Sequence, residues 1–224
     1  MDELLRLPTE KLLEKFGAGS HKPGSGSAAA LIALISCKML RTVVLLTDGK
    51  ERYEGVREQL TLINQEMEES IDPYLVSAIQ EDSEVFNRVI NLREQRNLSK
   101  VNSDERKRLN AKSLRELEKA TEIPLEIADH AVKLVTKALD AFDLGFQAAR
   151  GDSGVAISAA LSALSSSLAI IYLNLISFRG SDWAIETRHR ADELFDKCKN
   201  LQNELFIRIE RLRQEAINRE TSKK

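Results

Sequence analysis

The sequence predicts an all-α fold, a single-domain bundle of several helices that run up and down, and three observations support this prediction. Apolar residues recur every three or four positions along almost the whole chain, as they do on one face of a helix. With 10 Gly and 4 Pro among 224 residues, turn-forming residues are too scarce for a β-sandwich. No composition shift and no internal repeat marks a boundary, so residues 1–224 are expected to form one domain.

The clearest predicted helix is the last one. Its apolar residues step by four and three from Leu194 to Ala216, between flanking charged residues. The same spacing rule, applied from the amino terminus onward, predicts eight helices. They cover residues 8–17, 27–48, 52–72, 74–95, 104–121, 124–149, 153–179 and 182–218.

Prolines and glycines predict where neighbouring helices separate. Pro73 lacks a backbone N–H and is expected to kink or divide the helical stretch around it. Pro124 fits the first turn of a new helix, where that N–H is not needed. Gly145 and Gly151 are expected to bracket a connection before the helix at 153–179.

Charge and composition exclude several classes of protein. Lys+Arg 33 against Asp+Glu 35 gives a net charge of −2, so no nucleic-acid partner is expected. Cys37 and Cys198 cannot form a disulfide framework or a cysteine-rich zinc site, and no metal site is predicted. Residues 1–16 alternate charges with leucines and lack the apolar core of a secretory signal, so a cytoplasmic location is expected.

Two stretches are long enough to cross a bilayer. Residues 153–178 carry no charge, and residues 28–47 carry only Lys38 and Arg41. Small residues along one face of the first stretch permit close approach of another helix, while the remaining helices are strongly charged. Buried bundle helices that also form a homodimer, or a larger homo-oligomer, are therefore predicted. Membrane insertion is the alternative.

The most unusual local sequence is the loop Lys-Pro-Gly-Ser-Gly-Ser at residues 22–27. Gly24 and Gly26 permit backbone geometries that other residues avoid, and Ser27 is a natural N-cap. A helix start after such a loop offers free N–H groups and can bind an anion. No strand precedes it and no Gly-Lys-Ser/Thr follows it, so it is not a phosphate-binding P-loop. A plain turn with a helix cap is the alternative interpretation.

This loop and five later segments resemble, in order and spacing, the cyclodeaminase/cyclohydrolase family of folate enzymes. Residues 23–30 are similar to that family's Pro-Gly-Gly-Gly-Ser-Ala-Ala signature, and the resemblance runs from about residue 8 to residue 180. Two departures are Ser25, which replaces the middle glycine, and Phe146, where the family usually has Asn. The other matching segments are Leu46-Thr47-Asp48-Gly49-Lys50 with Tyr53, Glu81-Asp82-Ser83-Glu84-Val85-Phe86, Ala120-Thr121-Glu122-Ile123-Pro124-Leu125-Glu126, Asp152-Ser153-Gly154-Val155-Ala156 and Asn174-Leu175.

The resemblance implies an all-α enzyme, usually dimeric or larger, that acts on one-carbon units carried by tetrahydrofolate. One branch of the family closes 5-formimino-tetrahydrofolate to the 5,10-methenyl form and releases ammonia. Another hydrolyses the methenyl form to 10-formyl-tetrahydrofolate. No metal or redox cofactor is implied beyond the tetrahydrofolate substrate itself. The sequence leaves both substrates open, and the two departures leave an inactive bundle that binds folate or a protein as the alternative function.

Asp82 is the best candidate for the proton transfers that both reactions need at the carbon between N5 and N10. It falls in a stripe of apolar residues at helical spacing, where burial would raise the pKa of its carboxyl. The alternative is a structural ion pair with a basic neighbour. The stripe consists of Leu75, Ile79, Phe86 and Val89.

Asp152 is the second predicted catalytic residue, since its carboxylate can accept N–H bonds from a pterin ring. A helix N-cap is its alternative role. Asn174 is an amide in an apolar helix and must find a partner when buried, either the substrate or a neighbouring helix. We expect these side chains to surround one cavity with the loop residues Gly24, Ser25, Gly26 and Ser27.

Three basic residues are predicted to bind the substrate's acidic end. Lys38 and Arg41 share the helix face that leads away from the glycine loop, and Arg matches carboxylates in bidentate fashion. Lys50 belongs to a matched segment and carries the same prediction. A solvated helix face is the alternative for all three. His21 adjoins the loop and can shuttle protons near neutral pH, although a lone loop histidine is usually only solvated.

Overall fold

The all-α prediction is confirmed by the computed structural model of the chain, which describes residues 4–98 and 100–221. Within those residues every regular secondary-structure element is a helix, and no strand is present. Short 3₁₀ turns occupy Leu4–Arg6, Glu51–Val56 and Gln147–Ala149, and a π-helical turn occupies Met67–Ile71. The α-helices are α1 (Thr9–Gly17), α2 (Ser25–Asp48), α3 (Arg57–Glu66), α4 (Asp72–Asn97), α5 (Ser103–Leu144), α6 (Arg150–Leu175) and α7 (Asp182–Thr221).

Helices α2, α4, α5 and α6 form the centre of an up-and-down bundle. Each packs on its neighbours around one continuous apolar core, and α7 lies along α5 and α6. Small residues let α2 and α6 approach closely, because an Ala face leaves little side chain between two backbones. The fully buried alanines of this contact include Ala30, Ala33, Ala156, Ala160 and Ala163.

Among the residues that the structure describes, two helical stretches are long and apolar enough to span a membrane. They are α2, at Ser25–Asp48, and α6 with the 3₁₀ turn before it, at Gln147–Leu175. Half of each apolar window is buried inside the bundle, as a core helix requires. The other half faces outward without charge over most of its length. The large exposed residues of these two helices include Ile35, Leu45, Leu46, Val155 and Leu173.

Helix α5 overturns one predicted boundary. The two helices predicted at 104–121 and 124–149 are a single helix of 42 residues, and Pro124 lies inside it rather than in a first turn. Pro124 is buried in the bundle, and the packing of α5 against α4 and α6 holds the helix across the missing hydrogen bond. Tertiary contact therefore outweighs the local preference of proline.

Pro73 divides its helical stretch as predicted, but without a loop. It occupies the first turn of α4, and the π-helical turn Met67–Ile71 directly precedes it. Because Pro73 has no N–H for the carbonyl four residues earlier, the helical ladder loosens there to the wider π spacing. The single helix predicted at 52–72 is instead a 3₁₀ turn, α3 and this π turn.

The connection between α5 and α6 comes earlier in the chain than predicted, at residues 145–149 instead of 150–152, because α5 ends at Leu144 and not at residue 149. Gly145 ends α5, and an added Cβ there would press against the carbonyl of Ala141. Gly151, predicted to lie in the connection, is instead inside α6, which begins at Arg150. Arg150 makes a bidentate ion pair with Glu215 of α7, and its two N···O distances are 2.9 and 2.7 Å. That ion pair fixes the corner against α7.

Candidate active site

One end of the central bundle encloses a cavity of about 260 Å³. It lies where the start of α2 meets the middle of α4, the middle of α5 and the last turns of α6. The described residues that line it are Ser20, His21, Gly24, Ser25, Gly26, Asp82, Phe86, Ala120, Ile170, Leu173 and Asn174. Gly24, Ser25 and Gly26 of the loop thus share one cavity with the predicted acid and amide. Ser27, predicted with them, is not a lining residue and instead bonds Asp82.

Asp82 holds the start of α2 through two hydrogen bonds. Its Oδ2 accepts the backbone N–H of Ser27 at 2.8 Å and the hydroxyl of Ser27 at 3.1 Å. Gly24, the residue before α2, provides no side-chain cap, so a carboxylate from α4 takes that role. No ion pair joins Asp82 to any residue of the described ranges, which removes the structural ion pair considered as its alternative.

Gly26 permits this close approach. An added Cβ at Gly26 would overlap the carboxylate of Asp82, whereas the backbone of Gly26 alone leaves room for it. Both residues are buried, and Asp82 is only 6% exposed. A glycine is therefore required at position 26 by the carboxylate of Asp82 on α4, and not by an unusual backbone angle.

The environment of Asp82 favours the protonated carboxyl. Burial raises the pKa of Asp82 above its ordinary value, and the two hydrogen bonds from Ser27 oppose that rise only in part. Oδ1 accepts no hydrogen bond from a described residue, so it remains available to a molecule in the cavity. A buried carboxyl with a raised pKa beside a cavity is suited to carry a proton.

Asn174 bridges two helices, which is one of the two roles considered for it, and it also lines the cavity. Its Nδ2 donates to the hydroxyl of Thr121 at 3.1 Å, which bridges α6 and α5, and the same residue lines the cavity. The carbonyl of Ala120 lies four residues before Pro124, which has no N–H to donate to it. Ala120 lines the cavity, so an acceptor without its usual helical partner lies at the wall.

The structure places His21 in the cavity wall, whereas the sequence made it no more than a possible proton shuttle. Its ring makes an edge contact with Phe86, and its Nε2 lies 3.4 Å from Oδ1 of Asn87. Ile170 and Leu173 were missed as lining residues. Ile170 lies one helical turn before Asn174, and this spacing is the signal that could have identified it, whereas Leu173 directly precedes Asn174.

The basic residues predicted to bind substrate lie elsewhere. Lys38 is paired with Asp72, with an N···O distance of 2.6 Å, and Arg41 is paired with Glu68 at 2.5 Å. Lys38 follows Gly26 by 12 residues of α2, about 18 Å along the helix. Neither side chain lines the cavity.

Lys50 and Asp152 lie at the opposite end of the bundle. The ammonium of Lys50 is 4.1 Å from the ring centroid of Phe146, beyond the end of α2. Asp152 is in the first turn of α6, and the cap position is Ala149. Since 22 residues of helix separate Asp152 from Asn174, about 33 Å lies between them. Within one chain, Asp152 therefore does not reach the cavity.

A cluster suited to a metal ion is not found in the described ranges: they bring no three or more His, Cys, Asp or Glu residues together in that way. The polar groups of the cavity wall are instead one acid, one imidazole, an amide and hydroxyl groups, beside the first residues of a helix.

Comparison with known proteins agrees with the resemblance drawn from the motifs. The sequence model of the formiminotransferase-cyclodeaminase family matches residues 8–193. A methenyltetrahydrofolate cyclohydrolase from Methylorubrum extorquens is 29% identical over 198 residues, which are 88% of this chain and 93% of the relative.

A solved structure has the same fold. The formiminotetrahydrofolate cyclodeaminase of Thermotoga maritima superposes with a TM-score of 0.79 and covers 94% of this chain and 99% of its own. At 17% identity this match concerns the arrangement of the helices alone.

Proposed function

Since the chain belongs to the formiminotransferase-cyclodeaminase family, we propose that it is an enzyme of tetrahydrofolate one-carbon metabolism. Its first candidate reaction is hydrolysis of 5,10-methenyl-tetrahydrofolate to 10-formyl-tetrahydrofolate, the activity named for its cyclohydrolase relative. The observation that carries this proposal is the buried Asp82 at the start of α2, with one oxygen free toward the cavity. The same proposal includes a cytoplasmic location. It requires no cofactor beyond the substrate.

The proposed hydrolysis needs one proton acceptor and one proton donor at the same carbon. Water adds to the methenyl carbon between N5 and N10 and loses a proton to Asp82, which gives a tetrahedral intermediate. The hydroxyl of the intermediate then loses its proton to solvent and becomes the formyl oxygen as the bond from that carbon to N5 breaks, and Asp82 returns its proton to N5. The net reaction consumes one water and releases one proton. A carboxyl whose pKa is raised by burial can accept and donate in turn.

The cyclodeaminase reaction is the second candidate, because the solved protein of the same fold carries that name. In it N10 attacks the formimino carbon, and the departing nitrogen leaves as ammonia after it is protonated. The same acid at the same carbon serves this reaction. The choice between the two therefore depends on which substrate is turned over.

The test is to give the purified protein each substrate in turn. Loss of the near-ultraviolet absorbance of methenyl-tetrahydrofolate, faster than in buffer, is expected of the cyclohydrolase. Appearance of that absorbance from 5-formimino-tetrahydrofolate is expected of the cyclodeaminase. Stabilisation by folate with no turnover of either substrate would contradict the proposal and favour the inactive binding module.

We also propose that the enzyme is a homodimer joined through the outward faces of α2 and α6. These faces form an uncharged groove of about 390 Å³ beside the cavity, and the two share Ser25, Ile170 and Leu173. A two-fold axis across the middle of α6 exchanges its ends. It would carry Asp152 of the partner subunit toward the cavity, where one chain alone cannot bring it.

Mixing two inactive variants tests the shared site. We expect Asp82→Asn and Asp152→Asn to be inactive alone. After mixing and subunit exchange, about a quarter of all sites should contain both native carboxylates, because heterodimers restore one site in two. Failure of the mixture to regain activity, with heterodimers demonstrated, would exclude a role for Asp152 across the interface.

A further inference from the structure

A second cavity, of about 310 Å³, opens between α4, α5 and the chain just after α6. Its described lining residues are Arg93, Arg96, Asn110, Ser113, Leu114 and Ser177. None of these is acidic, and five of the six carry polar side chains. The cavity therefore presents two guanidinium groups among neutral hydrogen-bonding partners.

This second cavity lies further along the same bundle helices than the candidate active site. Arg93 follows Asp82 by 11 residues of α4, which is three helical turns to within about 20°, so both lie on the same face. Ser113 precedes Ala120 by two turns on one face of α5, about 10 Å. On the third side Ser177 follows Asn174, and its N–H bonds the carbonyl of that residue at 3.0 Å.

The two arginines make no ion pair with a carboxylate of the described residues. Arg96 donates to the side-chain oxygens of Asn110 at 2.6 Å and Asn97 at 3.2 Å, both neutral. Arg93 makes no hydrogen bond or ion pair with any residue of the described ranges. Burial and the neighbouring charge of Arg96 lower the pKa of Arg93 from its ordinary value. Partly buried arginines held together without an acid are a ready anion site.

The active-site cavity is too small to hold a whole folate molecule. Small-molecule pockets commonly measure about 300–1,000 Å³, so a cavity of about 260 Å³ accommodates the pterin end of a folate and little more. In tetrahydrofolate the glutamate is joined to N10 through a benzoyl ring and an amide. That span is comparable with about two helical turns, which is the spacing from Ala120 to Ser113.

We propose that Arg93 and Arg96 bind the carboxylates of the glutamyl tail of the substrate, so that the folate lies along α4 from Asp82 to this second cavity. The inference rests on the proposed function, because it takes the substrate to be a folate. It assigns to Arg93 and Arg96 the role that the sequence suggested for Lys38 and Arg41, which are committed to Asp72 and Glu68.

A more basic groove exists on the other side of the α4–α5 pair. It measures about 590 Å³ and is lined by Arg88, Lys112, Arg115 and Lys119 together with Glu116. Two of those cations already bind Glu116, at 2.8 Å from Arg88 and 2.7 Å from Lys119. Its residues lie well away from the Asp82 face of α4, so a folate seated at Asp82 does not extend into it. Arg115 of this groove makes no ion pair with any residue that the structure describes, and it therefore provides a matched control.

The experiment compares two substrates that differ only in the tail, 5,10-methenyl-tetrahydrofolate and 5,10-methenyl-tetrahydropteroate, which lacks the glutamate. For the native protein we expect a lower KM for the glutamyl compound. Arg93→Gln should raise that KM about tenfold and leave kcat, and the KM of the pteroate, unchanged. Arg93→Lys should restore part of the difference, and Arg115→Gln should change neither constant.

Three outcomes would overturn the inference: equal KM values of the native protein for both compounds, an Arg93→Gln effect of equal size on both, or a selective loss in Arg115→Gln instead. Turnover of neither compound would separately contradict the cyclohydrolase reaction, the first candidate for the proposed function. In that case calorimetric binding of 5-formyl-tetrahydrofolate and its pteroate counterpart decides the question. A preference for the glutamyl compound that Arg93→Gln abolishes would support the tail site, and binding of neither compound would refute it.

Discussion

Replacement of Asp82 by Asn separates its chemical role from its structural one. Asn keeps the shape and an oxygen that can accept from Ser27 but cannot carry a proton at neutral pH. Loss of a general acid or base commonly reduces the rate by about 10²–10⁴-fold, which corresponds to about 3–5 kcal/mol of activation free energy. We expect kcat of Asp82→Asn to fall by that factor.

The stability of the same variant should move in the other direction. Because burial raises the pKa of Asp82, the fold favours the protonated carboxyl. Its contribution to stability is full below the unfolded pKa, about 3.9, and is lost as pH rises through the higher folded pKa. Asn mimics the protonated form, so Asp82→Asn should melt at or above the native temperature at pH 7. The difference in Tm should shrink as pH falls toward 4.

Asp82→Ala supplies the contrast, because it leaves both donors of Ser27 without an acceptor. That loss costs about 1–3 kcal/mol, and at this chain length each kcal/mol lowers Tm by about 2–4 °C. Glu81→Gln, the same chemical change at an exposed neighbour, should leave kcat and Tm unchanged. The reasoning is refuted if Asp82→Asn keeps a rate within a few-fold of native, or melts as low as Asp82→Ala in calorimetry across pH.

Two further substitutions test the packing of the site. Gly26→Ala should lower kcat by at least about tenfold and should also lower Tm, because the new methyl overlaps the Asp82 carboxylate. An unchanged Tm would mean that α2 shifts to make room for the methyl. Gly154→Ala is its control, because a Cβ there meets nothing within 4 Å in a helix, and it should add about 0.5–1 kcal/mol to the unfolding free energy. Asn174→Ala removes the hydrogen bond to Thr121, and denaturant titration should show a loss of about 1–3 kcal/mol in the free energy of unfolding. A kinetic assay should show a higher KM. An unchanged KM would mean that Asn174 only bridges the two helices.

The sequence predicted the local parts of the site better than its distant ones. Asp82 was found because helical spacing alone sets it among apolar residues, and the Gly24–Ser27 loop because glycine before a helix start is a local signal. Pro124 misled the helix boundary, since the packing that tolerates it is tertiary. Ion-pair partners such as Asp72 and Glu68 are also set by the fold, so Lys38 and Arg41 appeared free.

Pro124 has a mechanical consequence for the whole molecule. Helix α5 is a rod of 42 residues, about 63 Å long, and its one proline omits a backbone hydrogen bond near the midpoint, beside Ala120. Bending of the helix should concentrate where this hydrogen bond is missing. The half that bears Asn110 and Ser113 can then tilt against the half anchored in the core. Such a tilt would move the wall at Ala120 directly, coupling the far tip of the bundle to the place where the reacting carbon would sit.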